Sequence, residues 1–195
     1  MIILGLTGSI GMGKSFVIEC FKSYKIPIYD ADKSIHDLLF FDKKAFPLIK
    51  KRFPDVVQNN AINRNLLADR VFKNNQELKE LEDILHPLLQ DGKNKFLKTN
   101  AKNKRKLVVL DIPLLFEKNK EKDFDAVIVV SAPFFVQKAR VLKRSGMTEA
   151  KFYFIIKQQL SDKHKCKKAN YIIRSGLGRH NSMLATKKII LNYNN

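Results

Sequence analysis

The chain has 195 residues, of which 45% are hydrophobic, and it carries a formal net charge of +18. This length fits one domain with room for inserted lobes, and no run approaches the roughly 20 apolar residues that span a bilayer, which argues against a membrane protein. The first residues also lack the basic segment and the small-residue cleavage site of a signal peptide, so a secreted protein is not predicted.

The basic charge and the two cysteines bear on partners and compartment. An excess of 37 Lys and Arg over 19 Asp and Glu attracts nucleic acid, anionic membranes and phosphorylated small molecules. The lysines are scattered among asparagines, however, and both residue types have AT-rich codons, so genomic base bias explains the charge equally well. Cys20 and Cys166 are far apart and fit free thiols, which favours a reducing, cytoplasmic location.

The first predicted elements are a buried strand at 2–6 and a helix at 14–24, joined by a glycine-rich loop. The loop, residues 8–15, has the spacing Gly-x-x-x-x-Gly-Lys-Ser, which lets consecutive backbone N–H groups surround a phosphate at a helix N-terminus. Lys14 can reach the β- and γ-phosphate oxygens, and the Ser15 hydroxyl can ligate Mg²⁺. The loop therefore predicts binding of a nucleoside triphosphate with Mg²⁺; the alternative is a glycine-rich turn with a solvated lysine.

A second short strand, at 26–29, ends in two acids, Asp30 and Asp32. Ligands of open α/β sheets bind at the carboxyl ends of the strands, so both acids are expected at the edge that carries the phosphate loop. One of them can accept the proton of an attacking hydroxyl group, and a functional role is favoured for Asp32. Asp30 is equally well explained as the N-cap of the next helix.

The following stretch, residues 34–104, is predicted to be a helical lobe inserted between two strands, because strand patterns are missing from it. Chain breaks are expected near Pro47, Phe53-Pro54 and Asn59-Asn60. Asn63 is predicted to cap a helix that extends to Val71-Phe72. A longer leucine-rich helix follows, and His86-Pro87 is expected to kink or break it.

A third strand, at 107–111, ends in Asp111, which is the pattern of an acid that holds Mg²⁺ through water near Ser15. A turn-forming role for Asp111 is the alternative. An apolar segment, 112–117, then ends in the carboxylate of Glu117.

The last third of the chain predicts a buried strand at 125–130 and then two helices joined by a turn at Ser145-Gly146. The first helix carries Gln137, Arg140 and Arg144, and this arrangement is typical of a mobile lid, although solvated arginines are an alternative. Thr148 is predicted to cap the second helix. Its outward-facing residues are expected to be Gln158, Gln159, Lys163 and Lys165, and a short strand at 171–173 and a helix ending near 191 complete the chain.

Taken in order, these motifs resemble those of the dephospho-CoA kinases over nearly the whole chain. The glycine-rich loop is common to many phosphate-binding enzymes, but the combination of Asp-Ala-Asp, His-Pro-Leu and Pro-Leu-Leu-x-Glu is far more specific. The resemblance is carried by Gly8 to Ser15, Asp30 to Asp32, Arg64, Leu67, Val71-Phe72, His86 to Leu88, Asp111 to Glu117, Gln137, Arg140, Arg144, Gln159 and Ala169.

This resemblance implies an α/β fold, a P-loop kinase three-layer sandwich with a five-stranded parallel sheet, a helical substrate lobe and a helical lid. The implied single domain divides into a core (1–33, 105–136 and 168–195), the lobe (34–104) and the lid (137–167). The implied reaction moves the γ-phosphoryl group of ATP to the ribose 3′-hydroxyl of dephospho-CoA, the final step of coenzyme A biosynthesis. No nucleic-acid or membrane partner is expected, and a monomer is favoured with weak oligomerisation left open.

The resemblance also implies roles for individual residues. Asp32 matches the general base, with Lys14 and Arg140 as the other catalytic residues. Residues expected to bind the nucleotide are Gly8, Gly11, Met12, Gly13, Lys14, Ser15, Phe16 and Arg144. Residues expected to bind the acceptor are Asp32, Arg64, His86, Pro113, Leu114, Leu115 and Glu117. Ser15 and Asp111 are the expected metal-side residues.

Several positions depart from the family pattern. Ser9 and Met12 replace a Gly and a Ser in the loop, and little damage is expected because phosphate is contacted through the backbone. Phe16 stands where Thr is common, which removes a hydroxyl group near the α-phosphate. Asn170 and Ser175 replace the usual Asp and Asn, so the residues that recognise the adenine base are not assigned.

Two other functions remain open from the residues alone. A nucleoside monophosphate kinase, or another small-acceptor kinase, would share the core and the lid. An NTP-dependent nucleic-acid-binding module would account for the positive charge, but it would need a contiguous basic face with interleaved aromatic residues. The sequence does not decide between ATP and GTP.

Overall fold

The computed structural model describes residues 1–42, 44–71 and 73–194, in which the chain forms two compact units. The first unit comprises Met1–Tyr29 and Asn100–Asn195, and the second comprises Asp30–Thr99. The predicted lobe at 34–104 overlaps the second unit, and the predicted lid at 137–167 falls within the first. Phe72, which was predicted to lie in a helix, is outside the described residues.

The chain contains both strands and helices, as expected for an α/β protein. They are β1 (Ile2–Thr7), α1 (Lys14–Ser23), β2 (Ile28–Asp30), α2 (Ala31–Phe41), α3 (Ala45–Arg52), β3 (Val57–Gln58), β4 (Ala61–Ile62), α4 (Arg64–Val71), α5 (Asn75–Lys102), β5 (Leu107–Asp111), β6 (Ala126–Ser131), α6 (Phe134–Leu142), α7 (Glu149–Lys157), α8 (Asp162–Lys168), β7 (Tyr171–Arg174) and α9 (Arg179–Asn194).

The main sheet has five strands in the order β2-β5-β1-β6-β7, which confirms the predicted five-stranded sheet. Strand β1 lies at its centre and pairs in parallel with β5 and β6. In this register Leu6 lies beside Asp111 on one side and beside Ile128 on the other. Since the strands run in the same direction, the loops that follow β1, β5 and β6 all leave from one edge of the sheet.

Helices cover both faces of the sheet, and the alternation of side chains along β6 shows how. Ala126, Ile128 and Val130 point into a core shared with α1 and α9. Val127 and Val129 point to the opposite face, where the segment after β5 and helix α8 cover them. A strand buried on both faces reads as a continuous apolar run, and this explains why the sequence pattern located β6.

The second unit is mostly helical, but it contains a hairpin that the sequence pattern did not reveal. Strands β3 and β4 pair antiparallel, with Val57 opposite Ile62. Asn59 and Asn60, expected to mark a break, form the two-residue turn of this hairpin with φ angles of 48° and 59°. Asparagine tolerates such left-handed conformations, which the tight turns of hairpins require.

A kink or a break was predicted at Pro87, but helix α5 continues through this residue, so the break is wrong. Proline removes one backbone hydrogen bond from a helix and costs about 3 kcal/mol in its interior. The flanking residues offset this cost because Leu81 and Leu85 on the same helix are buried in the core of the second unit. No helix within the described ranges is both long enough and apolar enough to cross a membrane.

Candidate active site

The glycine-rich loop lies between β1 and α1, as predicted, at the carboxyl edge of the sheet. Gly11 and Gly13 have φ angles of 77° and 86°, in the left-handed region that favours glycine. Gly13 is also the N-cap of α1, and among the described residues no side chain caps this helix end. The first N–H groups of α1 are therefore available to an anion such as a phosphate.

The loop is tightly enclosed by neighbouring segments. A Cβ atom added at Gly8 would lie 2.7 Å from the Val130 carbonyl oxygen, and one at Gly11 would lie 2.5 Å from the Val141 side chain. A Cβ atom at Gly13 would lie 3.0 Å from the Ser175 hydroxyl oxygen and 3.1 Å from a guanidinium nitrogen of Arg140. The backbone path of the loop thus depends on the absence of side chains at these positions.

Gly13→Ala is expected to weaken Mg·ATP binding by at least about tenfold. Alanine strains the left-handed backbone by about 1–2 kcal/mol, and its methyl group displaces Arg140 and Ser175. Titration calorimetry measures the affinity. The control is Gly146→Ala, where φ is +72° but no described atom lies within 4 Å of an added Cβ. Equal Mg·ATP affinities for the two variants would contradict the expectation.

Lys14 and Asp111, expected to bind the phosphates and the metal ion, contact each other directly. The Lys14 ammonium group donates to both carboxylate oxygens of Asp111, at 2.6 and 2.7 Å. Asp111 is buried, with 4% of its surface exposed, at the end of β5. The pair joins the start of α1 to the end of β5, so one positive and one negative group lie next to the phosphate loop.

Ser15 and Asp111 both carry oxygen atoms of the kind that Mg²⁺ prefers as ligands. Ser15 is exposed on the first turn of α1, and Asp111 presents a carboxylate. Mg²⁺ prefers hard oxygen ligands and is often bound by one or two protein groups together with substrate phosphates and water. Residues 1–42, 44–71 and 73–194 contain no cluster of three or more His, Cys, Asp or Glu side chains that could hold a metal ion.

Arg140 lies against the phosphate loop, where a buried serine fixes its guanidinium group. Its two terminal nitrogens donate to the hydroxyl and carbonyl oxygens of Ser175, at 2.8 and 3.0 Å. The Ser175 hydroxyl in turn donates to the Met12 carbonyl oxygen at 2.5 Å. Ser175, noted in the sequence only as a departure from the family pattern, therefore links Arg140 to the loop.

Two glutamines contact Ile10 within the loop, and sequence reasoning assigned a role to neither. Gln137 on α6 donates from its side-chain amide to the Ile10 carbonyl oxygen at 2.8 Å. The Ile10 N–H group donates to the side-chain oxygen of Gln159 at 3.2 Å. Gln159 was expected on an outer helix face, but α7 already ends at Lys157. The sequence shows that the two glutamines lie on either side of Arg140 and Arg144 along the chain, but it does not show that both contact Ile10.

Lys165 was predicted to face outward, and this prediction is wrong. Its side chain is fully buried, and its ammonium nitrogen lies 2.8 Å from a carboxylate oxygen of Glu117. The same oxygen accepts the Leu160 N–H at 2.9 Å. The predicted helical phase does not continue because Ser161 caps a new helix, α8, and its side chain accepts from the His164 N–H.

The remaining residues of the first unit differ in their exposure. In the expected acceptor segment, Leu114 is 37% exposed, whereas Leu115 is fully buried in the core. Pro113 accepts a hydrogen bond from the Thr7 hydroxyl through its carbonyl oxygen, at 2.9 Å. Glu117 lines a cavity of about 400 Å³. Helix α6 ends at Leu142, so Arg144 lies exposed in the turn beyond it, not on the helix as predicted.

The structure also places Phe16, the aromatic residue that follows the phosphate loop, and Asp30. The Phe16 ring lies under the guanidinium group of Arg179, 5.5 Å from ring centre to charge. Asp30 is the N-cap of α2, because its side chain accepts the Lys33 N–H at 2.8 Å. The capping interpretation of Asp30 is therefore confirmed.

The three acceptor-side residues of the second unit are all exposed to solvent. Asp32 lies in the first turn of α2, Arg64 begins α4, and His86 lies within α5. Exposure leaves each side chain free to meet a ligand, but their assigned roles remain predictions.

Comparison with known proteins gives a consistent result. The sequence profile of the family CoaE, dephospho-CoA kinase, matches residues 2–178. The chain is 43% identical to a dephospho-CoA kinase of Bartonella quintana over 98% of both chains. Its fold resembles the crystal structure of TT1252 from Thermus thermophilus (TM-score 0.86, 29% identity, covering 100% of this chain and 98% of that one). It also resembles a dephospho-CoA kinase from Campylobacter jejuni (TM-score 0.68, 25% identity, covering 98% and 96%).

Proposed function

The chain belongs to the dephospho-CoA kinase family, and we propose that it phosphorylates the ribose 3′-hydroxyl of dephospho-CoA with ATP. The acceptor oxygen forms a bond to the γ-phosphorus, the bond from that phosphorus to the β-phosphate oxygen breaks, and the acceptor proton passes to a base. The products are coenzyme A and ADP, so the reaction completes coenzyme A biosynthesis. The observation that carries the proposal is the convergence of Lys14, Asp111 and Arg140 on one phosphate-binding loop.

On the donor side, phosphoryl transfer needs positioning and charge neutralisation more than covalent chemistry. The backbone N–H groups of the loop hold the phosphates, and Lys14 and Arg140 offset the charge that develops on them. Contacts with Ser175 hold Arg140 in place before the reaction begins, which reduces reorganisation during transfer. Ser15 and Asp111 would hold Mg²⁺, which would further neutralise the charge of the phosphate oxygens.

On the acceptor side, Asp32 orients the hydroxyl group and takes its proton. Exposure of its carboxylate supports this role. Arg64 and His86 are proposed to bind the acceptor from the helical unit, and the segment from Pro113 to Glu117 to bind it from the sheet. Lid closure by the segment 137–167, with Arg144 approaching the phosphates, would exclude water as a competing nucleophile.

An assay with several acceptors tests the function. ADP release with Mg·ATP is measured for dephospho-CoA and, side by side, for the common nucleoside monophosphates, and the product is identified by mass spectrometry. We expect coenzyme A from dephospho-CoA and background rates with the monophosphates. Turnover with a monophosphate alone would overturn the proposal in favour of a nucleotide kinase. Steeply salt-dependent RNA or DNA binding with stimulated ATP hydrolysis, and no kinase activity, would overturn it in favour of a nucleic-acid-dependent enzyme.

We further propose a cytoplasmic monomer. The two cysteines are free, and burial raises the pKa of both the Cys20 and the Cys166 thiol above the ordinary value. Both thiols are therefore mainly protonated at neutral pH and poorly nucleophilic, which supports structural roles in a reducing compartment. Light scattering after size exclusion tests the oligomeric state, and a dimer mass would contradict it.

A further inference from the structure

Ile10, inside the phosphate loop, is held by side chains on both of its backbone groups. The Gln137 amide nitrogen donates to the Ile10 carbonyl oxygen at 2.8 Å, and the Ile10 N–H group donates to the Gln159 side-chain oxygen at 3.2 Å. Gln137 is buried, with 4% of its surface exposed. Gln137, which precedes Arg140 on α6, begins the proposed lid, and Gln159 follows α7 within it, so two separate parts of the proposed lid contact one loop residue.

The contact with Gln137 has a direct consequence for the next N–H group. The carbonyl group of Ile10 and the N–H group of Gly11 belong to the same trans peptide unit, in which they point in opposite directions. When Gln137 binds the carbonyl oxygen, it fixes the direction of the Gly11 N–H group as well. Gly11 has a φ of 77° and no side chain to restrict rotation of this unit. The Met12 N–H donates to the Ser9 carbonyl oxygen at 3.2 Å and closes the turn around the unit, but this bond is compatible with either direction of the unit, so the contact with Gln137 selects one.

The contact with Gln159 uses the preceding N–H group. The Ile10 N–H already donates to Gln159, and the Met12 N–H donates to the Ser9 carbonyl oxygen at 3.2 Å, so the N–H groups available to a phosphate begin at Gly11 but do not include that of Met12. The residue after Gln159 is anchored independently, since the Leu160 N–H donates to Glu117 at 2.9 Å. Glu117 is fixed in turn by the buried Lys165, at 2.8 Å. The loop is thus tied to the segment that follows β5.

We propose that Gln137 and Gln159 are positioning residues that set the peptide orientation at Ile10 and so couple the lid segment to binding of the ATP phosphates. The proposal rests on the proposed function only in taking ATP as the ligand. Neither glutamine touches the reacting atoms. Gln137 acts as a donor and directs the Gly11 N–H towards the phosphate, and Gln159 acts as an acceptor and restrains the start of the loop.

The test uses the fact that Gln137 donates a hydrogen bond to Ile10, whereas Gln159 accepts one from it. Glutamate cannot donate, so Gln137→Glu loses its contact and places a carboxylate against a carbonyl oxygen. Glutamate still accepts, so Gln159→Glu keeps its contact, whereas Gln159→Met loses it. The control for added charge is Gln158→Glu, which changes the exposed neighbour of Gln159. Titration calorimetry with Mg·ATP in the absence of any acceptor measures binding directly, so the result stands even if dephospho-CoA proves not to be the substrate.

We expect Gln137→Glu and Gln137→Met to weaken Mg·ATP binding by about 10- to 100-fold, the equivalent of one lost hydrogen bond to a charged phosphate. Gln159→Met is expected to weaken binding by about five- to tenfold, and Gln159→Glu to match Gln158→Glu. The double variant Gln137→Met/Gln159→Met should lose less than the sum of the single changes in free energy, because both act on one residue.

A purely structural role would shift the urea midpoint of unfolding and leave the affinity for Mg·ATP unchanged. The proposal is overturned if Gln137→Met binds Mg·ATP within twofold of the natural protein, or if Gln159→Glu binds as weakly as Gln159→Met. Should Gln137→Met fail to fold, the comparison of the two Gln159 variants still decides, because Gln159 is only partly buried and its replacement disturbs the core less.

Discussion

Asp32→Asn is expected to lower kcat by roughly 10²- to 10⁴-fold and to leave Mg·ATP affinity near normal. Asparagine has nearly the same shape as aspartate, but it carries no charge and cannot take the proton of the acceptor hydroxyl. Asp32 lies outside the unit that holds the phosphate loop, and this is why donor binding should survive the change. Steady-state turnover with dephospho-CoA, combined with calorimetric ATP titration, separates the two effects.

The matched control for this prediction is Asp30→Asn, two residues earlier. Asp30 caps α2 through the Lys33 N–H, and asparagine caps helices about as well as aspartate does. Asp30→Asn is therefore expected to retain turnover within a fewfold of the natural protein. Near-normal turnover of Asp32→Asn, or equal losses in both variants, would rule out Asp32 as the base.

Lys165→Met is expected to destabilise the folded protein by about 3–5 kcal/mol. Methionine fills a similar volume, but it leaves the Glu117 carboxylate, whose side chain is 14% exposed, without its positive partner at 2.8 Å. Losing one member of a buried ion pair is more harmful than losing both, because a charge then stays away from water uncompensated. Urea unfolding at pH 7 measures the change in the free energy of unfolding.

Two further variants isolate the role of the ion pair. Lys163→Met changes an exposed lysine of the same helix, so an effect within about 0.5 kcal/mol is expected. Glu117→Gln/Lys165→Met removes both charges and keeps an oxygen for the Leu160 N–H, so it should recover most of the loss. If Lys165→Met is no less stable than Lys163→Met, the buried pair does not stabilise the fold.

The sequence was informative wherever structure is local. The strand at 107–111 and the helix caps Asn63 and Thr148 could be predicted, because a run of apolar residues or a side chain near a helix start has its partner close by. The phosphate loop is a similar case, since its spacing reflects what its own backbone must do.

Prediction failed where one helix ends and a new one begins with a different face towards the core. It also failed where a strand is too short to show the alternation of apolar and polar residues. If one helix continued across 158–161, Lys165 would face outward. A new helix begins after its N-cap Ser161 instead, and in this helix the Lys165 side chain faces the core. The hairpin strands at 57–58 and 61–62 have two residues each, so no alternation was available to detect them.

Contacts between distant segments were also out of reach. The sequence placed Lys14 and Asp111 at the same edge of a sheet, but their direct pairing depends on the register that sets β1 beside β5. Likewise, the convergence of Gln137 and Gln159 on Ile10 follows from how α6 and the end of α7 reach the loop, which no local pattern records.

The central position of β1 also has a consequence for synthesis of the protein. Strand β1 pairs with β5 and β6, whose residues leave the ribosome roughly a hundred positions later along the chain. Until they emerge, both hydrogen-bonding edges of this apolar strand lack their final partners, which favours aggregation or chaperone binding. The intervening residues, Asp30–Thr99, form a compact unit with its own core and are complete earlier. Residues 30–99 of the nascent chain are therefore expected to fold before β1 acquires its partners.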